Sequence, residues 1–277
     1  MLRKGLLTAN VSHNCKLFAS KRHSHKTAVC SLPADYDSRL KGLKVLVAGA
    51  TGRTGKQVVE VLQQAGVPVR ALVRDTTKAG KLLPSGPGVE VVQGDVFQYS
   101  SLPAALGDAN AIIVTTGASD VTDPLGPFNV DYQGTVNLVA LAKQKGIKKF
   151  VLVTSIGADE TFNPLNLFWG VLFWKKRAEE ELQRSGLDYT IVRPGGLKDS
   201  VKDGGRPGAI VMRGPGFYGV NPLNRMAEPA GAILRKQVAE VCVAALTEAD
   251  AQHKVVEIVA KEEAVERSYA DLFKSVT

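Results

Sequence analysis

Cysteine is scarce in this chain: there are three in 277 residues, and two of them, Cys15 and Cys30, lie in the first 30. That excludes a disulfide framework and a thiolate metal centre. The third, Cys242, falls in "VAEVCVAAL", the apolar stripe of an expected helix, and reads as a buried, inert thiol. Histidine is as sparse. Of four, only His253 lies beyond the first 25 positions, in an expected loop. Nucleophilic triads built on His and His-based metal sites are therefore excluded, and no metal is expected. No apolar run is long enough to cross a membrane as a helix. Acids are missing from one end. The first is Asp35, whereas Arg3, Lys4, Lys16, Lys21, Arg22 and Lys26 precede it. Without those six bases the formal net charge of +8 falls to +2, which removes the case for a nucleic-acid partner. Residues 1–37 are basic, acid-poor and rich in Ser and Thr, the composition of an organelle transit peptide; Ser outweighing Arg favours the chloroplast over the mitochondrion. The alternative is a basic arm that stays attached.

From Lys44 onward strands and helices alternate. "KVLVAGA", "PVRALVR", "VEVVQGD", "AIIVTTG", "FVLVTS" and "DYTIVRPGG" read as strands. "GKQVVEVLQQAG", "YQGTVNLVALAKQKG" and "KRAEEELQRSG" have helical period and end on glycine. The pattern predicts an α/β fold, a doubly wound, Rossmann-type parallel sheet. We expect one dinucleotide-binding domain over 42–277, with its core at 42–195. Beyond it the texture turns Gly- and Pro-rich, and 196–277 reads as a small C-terminal cap over the carboxyl ends of the strands.

The most specific motif is "VLVAGATGRTG". Gly49, Gly52 and Gly55 close a strand and open a helix, the context a phosphate-cradling turn needs: a tight turn, close backbone approach to a diphosphate, and tight helix–strand packing. At the end of the second strand, where an acidic residue would select NAD, stands Arg74; Arg53 sits in the glycine loop. Two guanidinium groups converging on one ribose suit a 2′-phosphate, so NADP is expected ahead of NAD. Asp75 complicates this, since it can serve a hydroxyl or pair with Arg53. Asp95 ends the third strand, facing the expected adenine. Thr115, Thr116 and Gly117 end the fourth, beside ribose and diphosphate. Thr154 and Ser155 end the fifth, near the nicotinamide.

Together "GATGRTG", "GDV", "NVDYQGTVNLVALAKQKGIKKFVLVTS", "KKRAEEELQRSGLDYTIVRPGGL" and "VAEVCVAAL" resemble the short-chain dehydrogenase/reductase superfamily in its atypical branch, most closely plastid NAD(P)-binding proteins similar to the dehydrogenase-like domain of a chloroplast inner-envelope translocon component. The resemblance implies that Gly49, Thr51, Gly52, Arg53, Thr54 and Gly55 hold the diphosphate and 2′-phosphate with Arg74, and that Asp95 and Val96 hold the adenine. It also implies that Lys175 meets the nicotinamide ribose, and that Arg193, Pro194 and Gly195 line the nicotinamide pocket. The family's catalytic tyrosine would stand at 171, where this chain has Val171. The proton of a reduction then falls to Ser155 or water; Tyr132 and Tyr218 are not placed by any spacing. Lys175, Lys176 and Arg177 also stand four residues before Glu179, Glu180 and Glu181, so a surface ladder of i,i+4 pairs is the competing reading for Lys175.

"FWGVLFW" gathers both tryptophans, and from Leu165 to Trp174 apolar residues would cover nearly every direction of a helix. Such a stretch is expected to line a pocket for a hydrophobic small molecule, to meet a membrane surface through Phe168, Trp169, Phe173 and Trp174, to bury against a protein partner, or to fill core beneath the cap. Two functions remain open: an NADP(H)-dependent oxidoreductase acting on a hydrophobic organellar substrate, and a non-catalytic NADP(H)-binding subunit or assembly factor.

Overall fold

Short apolar runs become strands here because both faces of the sheet are covered. The computed structural model describes residues 32, 36–84, 86–160, 162–201, 205–219 and 228–277. The presequence expectation, with Cys15 and Cys30, falls almost wholly outside them. A short helix α1 (Tyr36–Arg39) leads into β1 (Val45–Ala48), α2 (Arg53–Gln64), β2 (Val69–Val73), α3 (Thr76–Leu82) and β3 (Val89–Gln93). Then come α4 (Leu102–Leu106), β4 (Ala111–Val114), α5 (Gly134–Lys145), β5 (Lys149–Val153), α6 (Val171–Arg184) and β6 (Tyr189–Pro194). The remainder holds β7 (Gly196–Lys198), β8 (Ala209–Arg213), β9 (Tyr218–Gly219), β10 (Glu228–Pro229), β11 (Ala232–Leu234), α7 (Arg235–Ala244), β12 (Lys254–Lys261) and α8 (Tyr269–Lys274).

The main sheet runs β3-β2-β1-β4-β5-β6-β12-β8; all neighbours are parallel except β8, antiparallel at the edge. Alternate residues of each strand enter opposite cores. Val45 and Val47 pack with Val58, Leu62, Val238 and Cys242 on one face. Leu46 and Ala48 pack with Ile112, Leu138, Phe150 and Leu182 on the other. This is the doubly wound α/β arrangement expected of the chain.

The segment 196–277 is more than a cap. β12, with Val256, Ile258 and Val259 buried, and β8 complete the main sheet, and Cys242 lies fully buried on α7, its thiol pKa pushed up by burial. The smaller C-terminal part consists of two short parallel ladders, β7–β11 and β9–β10. Helices α3 and α4 escaped the periodicity. α3 is started by the Asp75 carboxylate, and α4 carries Pro103 in its first turn.

Under that C-terminal part lies a buried charge cluster. Arg193, at the end of β6, donates to Glu179 of α6 through Nε (3.0 Å) and Nη2 (2.5 Å), to Asp159, and to Glu257 of β12 (3.4 Å). Glu257 also accepts from the amides of Gly216 (2.8 Å) and Tyr218 (2.9 Å). Burial pushes the Glu257 carboxyl above its ordinary value despite those donors. Burial also acts to raise Asp159, but Arg193 and Lys176 outweigh it and hold that carboxyl below the usual range. The cluster ties α6, β6 and β12 together. Arg193→Met would leave Glu179 and Glu257 buried with no guanidinium between them, and breaking a buried ion pair in this one-sided way costs about 3–5 kcal/mol. Urea unfolding of the variant is expected to show a loss of that size; a loss below about 1 kcal/mol would mean the cluster is not a structural anchor.

Candidate active site

The site begins where β1 gives way to α2. Gly49 has φ +80°, and a Cβ there would meet the backbone of Thr115 and Thr116 at 2.9 Å. Gly52 donates its amide to the Gly49 carbonyl (2.9 Å), closing the turn, and no side chain caps α2. The helix therefore offers its amino-terminal N–H groups and positive dipole end to a ligand. A Cβ on Gly55 would lie 2.1 Å from the Gly49 oxygen, so helix and strand touch backbone to backbone. Thr115 fastens β4 to the same turn, its hydroxyl donating to the Ala48 carbonyl (2.9 Å).

Beside this turn opens a cleft of about 610 Å³ over the carboxyl ends of the strands. Gly49, Thr51 and Gly52 line it from the loop, Leu72 and Val73 from β2 with Arg74 just beyond, and Gly94, Asp95 and Val96 from beyond β3. Thr115, Thr116 and Gly117 follow β4, and the wall continues through Ala118–Asp120, Asp123 and Gly126. The dimensions and the glycine cradle fit an extended dinucleotide. Thr54, half-buried in the first turn of α2, stands outside the lining.

The arginines do not converge as expected. Arg74 lines the cleft, but Arg53 leans away and donates to Asp199 (3.4 Å) in the segment after β7. Asp75 is turned toward its own helix. Its carboxylate caps α3, accepting from Thr77 (2.9 Å) and Lys78 (3.1 Å) amides. Asp95 accepts from the Phe97 amide (3.0 Å) while lining the cleft.

The surface-ladder reading of Lys175 is corrected by the geometry. Glu179 is turned inward, where Thr154 donates to it (2.5 Å) beside Arg193. Lys175 instead pairs with Asp131, which is buried and also accepts from the Ala118 amide (3.1 Å). The ammonium thus sits at the end of β4, 3.8 Å from where a Gly117 Cβ would be. Lys176 pairs with Asp159 (2.6 Å) rather than facing solvent alone, and Arg177 with Glu180 (3.1 Å). Asp131 escaped the sequence reading because Pro127–Gln133 is π-helical, which shifts the register ahead of α5.

Other expected residues lie off the cleft lining. Thr154 and Arg193 are committed to the charge cluster, and Ser155 donates to the Ile156 carbonyl (3.1 Å). Pro194 is buried opposite Ile258, and the Gly195 amide donates to the Ile258 carbonyl (3.0 Å). Val171 opens α6 one turn before Lys175. Tyr132 packs between Phe128 and Trp174, and Tyr218 is buried against Ile156 and Val259 with no partner for its hydroxyl among the described residues. The aromatic run is not one helix. A 3₁₀ turn, Pro164–Leu167, is followed by Trp169 (φ 57°) and Gly170 (φ 70°), and only then by α6. Trp174 turns inward, whereas Phe162 is 89% and Leu167 85% exposed, with Phe168, Trp169 and Phe173 also exposed. Trp169 Nε1 donates to the Val121 carbonyl (2.9 Å), joining this segment to the loop 118–126 that walls the cleft. Among the described residues no cluster of His, Cys, Asp or Glu is set to hold a metal, and no helix is long and apolar enough to cross a membrane.

Residues 49–249 match the NAD(P)H-binding family, a span that contains the glycine turn, the cleft, α6 and α7. The chain belongs to this family. It is 41% identical over 272 residues to an uncharacterized chloroplastic protein of Arabidopsis thaliana, covering 94% of this chain and 92% of that one. It is 42% identical over 187 residues to the chloroplastic protein TIC 62 of Pisum sativum, covering 60% of this chain and only 35% of TIC 62. A third relative, sanguinarine reductase of Eschscholzia californica, is 31% identical over 278 residues, covering 86% of this chain and 97% of that one. Among solved structures, a putative NAD-dependent epimerase/dehydratase from Bacillus halodurans superposes with a TM-score of 0.68 at 26% identity, covering 84% of this chain and 99% of that one. The chain is thus an NAD(P)H-binding protein of a reductase-like family with chloroplastic homologues, and it matches about a third of the length of TIC 62.

The contact between Gly55 and Gly49 leaves no room for a methyl group without moving backbone. Gly55→Ala is expected to destabilise the fold by about 1–3 kcal/mol and to weaken NADPH binding by roughly tenfold or more as the turn opens. Thermal unfolding and equilibrium titration with NADPH measure the two effects; an alanine variant as stable and as tight as the parent would refute the packing role.

Proposed function

We propose that the chain binds NADP(H) in preference to NAD(H) and acts in the plastid as a reductase of a hydrophobic substrate. The observation that carries this reading is the cleft itself, which runs from Arg74 past the glycine turn to a wall whose loop is joined to exposed aromatic side chains. Arg74 supports the phosphorylated coenzyme, and Asp75 is turned to its own helix, one oxygen accepting both α3 cap bonds and the other facing Lys78 at 3.8 Å. A bound reduced nicotinamide supplies a hydride. Lys175, held by Asp131, presents fixed positive charge where the ribose next to the nicotinamide would lie. The amides opening α2 hold the diphosphate. Phe168, Trp169 and Phe173 offer apolar surface for the substrate's approach.

Val171 provides no hydroxyl, so the proton that completes a reduction comes from Ser155, by leaving the Ile156 carbonyl, or from water. An acceptor that takes hydride before it needs a proton, such as a conjugated or cationic ring system, suits that arrangement better than a simple carbonyl. The near full-length similarity to a sanguinarine reductase supports the reductase reading. A second reading rests on Val171 and the same exposed aromatics: a non-catalytic NADP(H)-binding subunit or assembly factor that docks on a protein complex or membrane surface through Phe168, Trp169 and Phe173.

Titrating the protein with NADPH and NADH while following tryptophan emission separates these. Saturable NADPH binding together with NADPH oxidation by apolar conjugated acceptors supports the reductase; binding without oxidation across such a panel supports the subunit. Arg74→Asp is expected to move the NADPH-to-NADH affinity ratio toward NADH by roughly tenfold or more, from loss of a charge-assisted contact and gain of a repulsive one. An unchanged ratio would remove Arg74 from the coenzyme site.

A further inference from the structure

Arg53 opens α2 directly after Gly52, so it belongs to the turn that cradles a dinucleotide. Its guanidinium nevertheless points away from Arg74. Arg74 follows β2, on the β3 side of β1, whereas Asp199 follows β7, the continuation of β6 on the opposite side. Asp199 is held from two directions. One oxygen accepts from Arg53 (3.4 Å), and the other accepts from Arg235 (2.8 Å), a buried residue that opens α7. The Arg53 side chain is 72% exposed and that of Asp199 60%, so their bond is a long, solvated one, while the bond to Arg235 is the short one.

We infer that Asp199 is a latch that occupies Arg53 and competes with the coenzyme's diphosphate for it, so that Arg53 serves the diphosphate common to NADPH and NADH and Arg74 alone reads the 2′-phosphate. The argument is one of position and strength. A diphosphate lying on the amino end of α2 brings negative charge to the residue after Gly52. Against that charge, an exposed carboxylate at 3.4 Å is the weaker partner for a guanidinium that can take phosphate oxygens two at a time. Arg235 keeps Asp199 in place when Arg53 leaves, so the exchange costs no buried unpaired charge. This inference rests on the reading that a dinucleotide occupies the glycine turn.

The test is equilibrium binding of NADPH and NADH to the full chain and to Asp199→Asn, Asp199→Glu and Arg53→Ala. Asp199→Asn keeps an oxygen for Arg235 and is expected to tighten both coenzymes by the same factor, roughly two- to fivefold, the scale of one exposed ion pair. Asp199→Glu restores the charge and the parent affinity. Arg53→Ala weakens both coenzymes in equal proportion. Two results overturn the latch: Asp199→Asn leaving both affinities unchanged, whatever Arg53→Ala does, or Arg53→Ala weakening NADPH alone, which would place Arg53 at the 2′-phosphate with Arg74. Should Asp199→Asn fail to fold, Asp199→Ser takes its place, with the same expected tightening of both coenzymes and the same overturning result. A parent chain that binds neither coenzyme overturns the proposed function, and the latch with it.

Discussion

The constraint on which the nucleotide end depends is the contact between the Gly55 α-carbon and the Gly49 carbonyl, too close for any side chain at 55. It sets the angle at which α2 leaves β1 and brings the amino end of that helix over the sheet. The same turn is crossed by β4, whose Thr115 hydroxyl bonds the last residue of β1. The strand order reverses there, with β2 and β3 to one side of β1 and β4, β5 and β6 to the other. A crevice must open where the connections diverge, and in open α/β sheets that is where ligands bind. One steric rule at a glycine thus places both the cleft and the donors that serve it.

The other end of the site is held independently. Along α6, Lys175 reaches Asp131 in the π-helical segment, while Glu179, one turn later, reaches Arg193 in β6 and the hydroxyl of Thr154. Residues that sit four apart on one helix, and look in the sequence like a surface pair, face different elements. Burial makes the difference. Glu179 is fully enclosed and needs the guanidinium of Arg193, which leaves Lys175 without its nearest acid and free to take Asp131. Lys175 is therefore fixed by the fold rather than by a ligand, as its proposed role beside the ribose requires.

Much of this architecture was legible in the chain. The strands β1, β2, β4, β5 and β6 stand out as apolar runs because the sheet is covered on both faces; the glycine spacing marked the turn, and the loop, the strand ends and the family resemblance together named nine of the residues that line the cleft. What escaped did so for physical reasons. α3 depends on one Asp75 cap rather than on periodicity, and β12 looked like part of a cap because nothing local says which sheet a C-terminal strand will join. Arg193 sits in a motif associated with the nicotinamide pocket, yet its charge is consumed by three carboxylates brought together from Asp159, α6 and β12, a grouping that only the tertiary fold creates. Arg53 was legible as a charge in the right loop but not as one already engaged by Asp199.

The aromatic segment shows how a local break decides what a composition means. Read as a continuous helix, "LNLFWGVLFW" would be apolar all round and would have to be buried. Trp169 and Gly170 both adopt left-handed backbone, so the 3₁₀ turn before them and α6 after them point their side chains in different directions. Trp174 goes inward to Phe128 and Tyr132, while Phe162, Leu167 and Phe168 are turned out. A bulky residue in the left-handed region is costly, on the order of 1–3 kcal/mol, and persists only where its surroundings hold it. Here the hold is visible: the Trp169 indole donates to the Val121 carbonyl, stapling the aromatic segment to the loop that walls the cleft. That bond also keeps the apolar surface beside the loop that walls the cleft, which is what the proposed role of the segment needs.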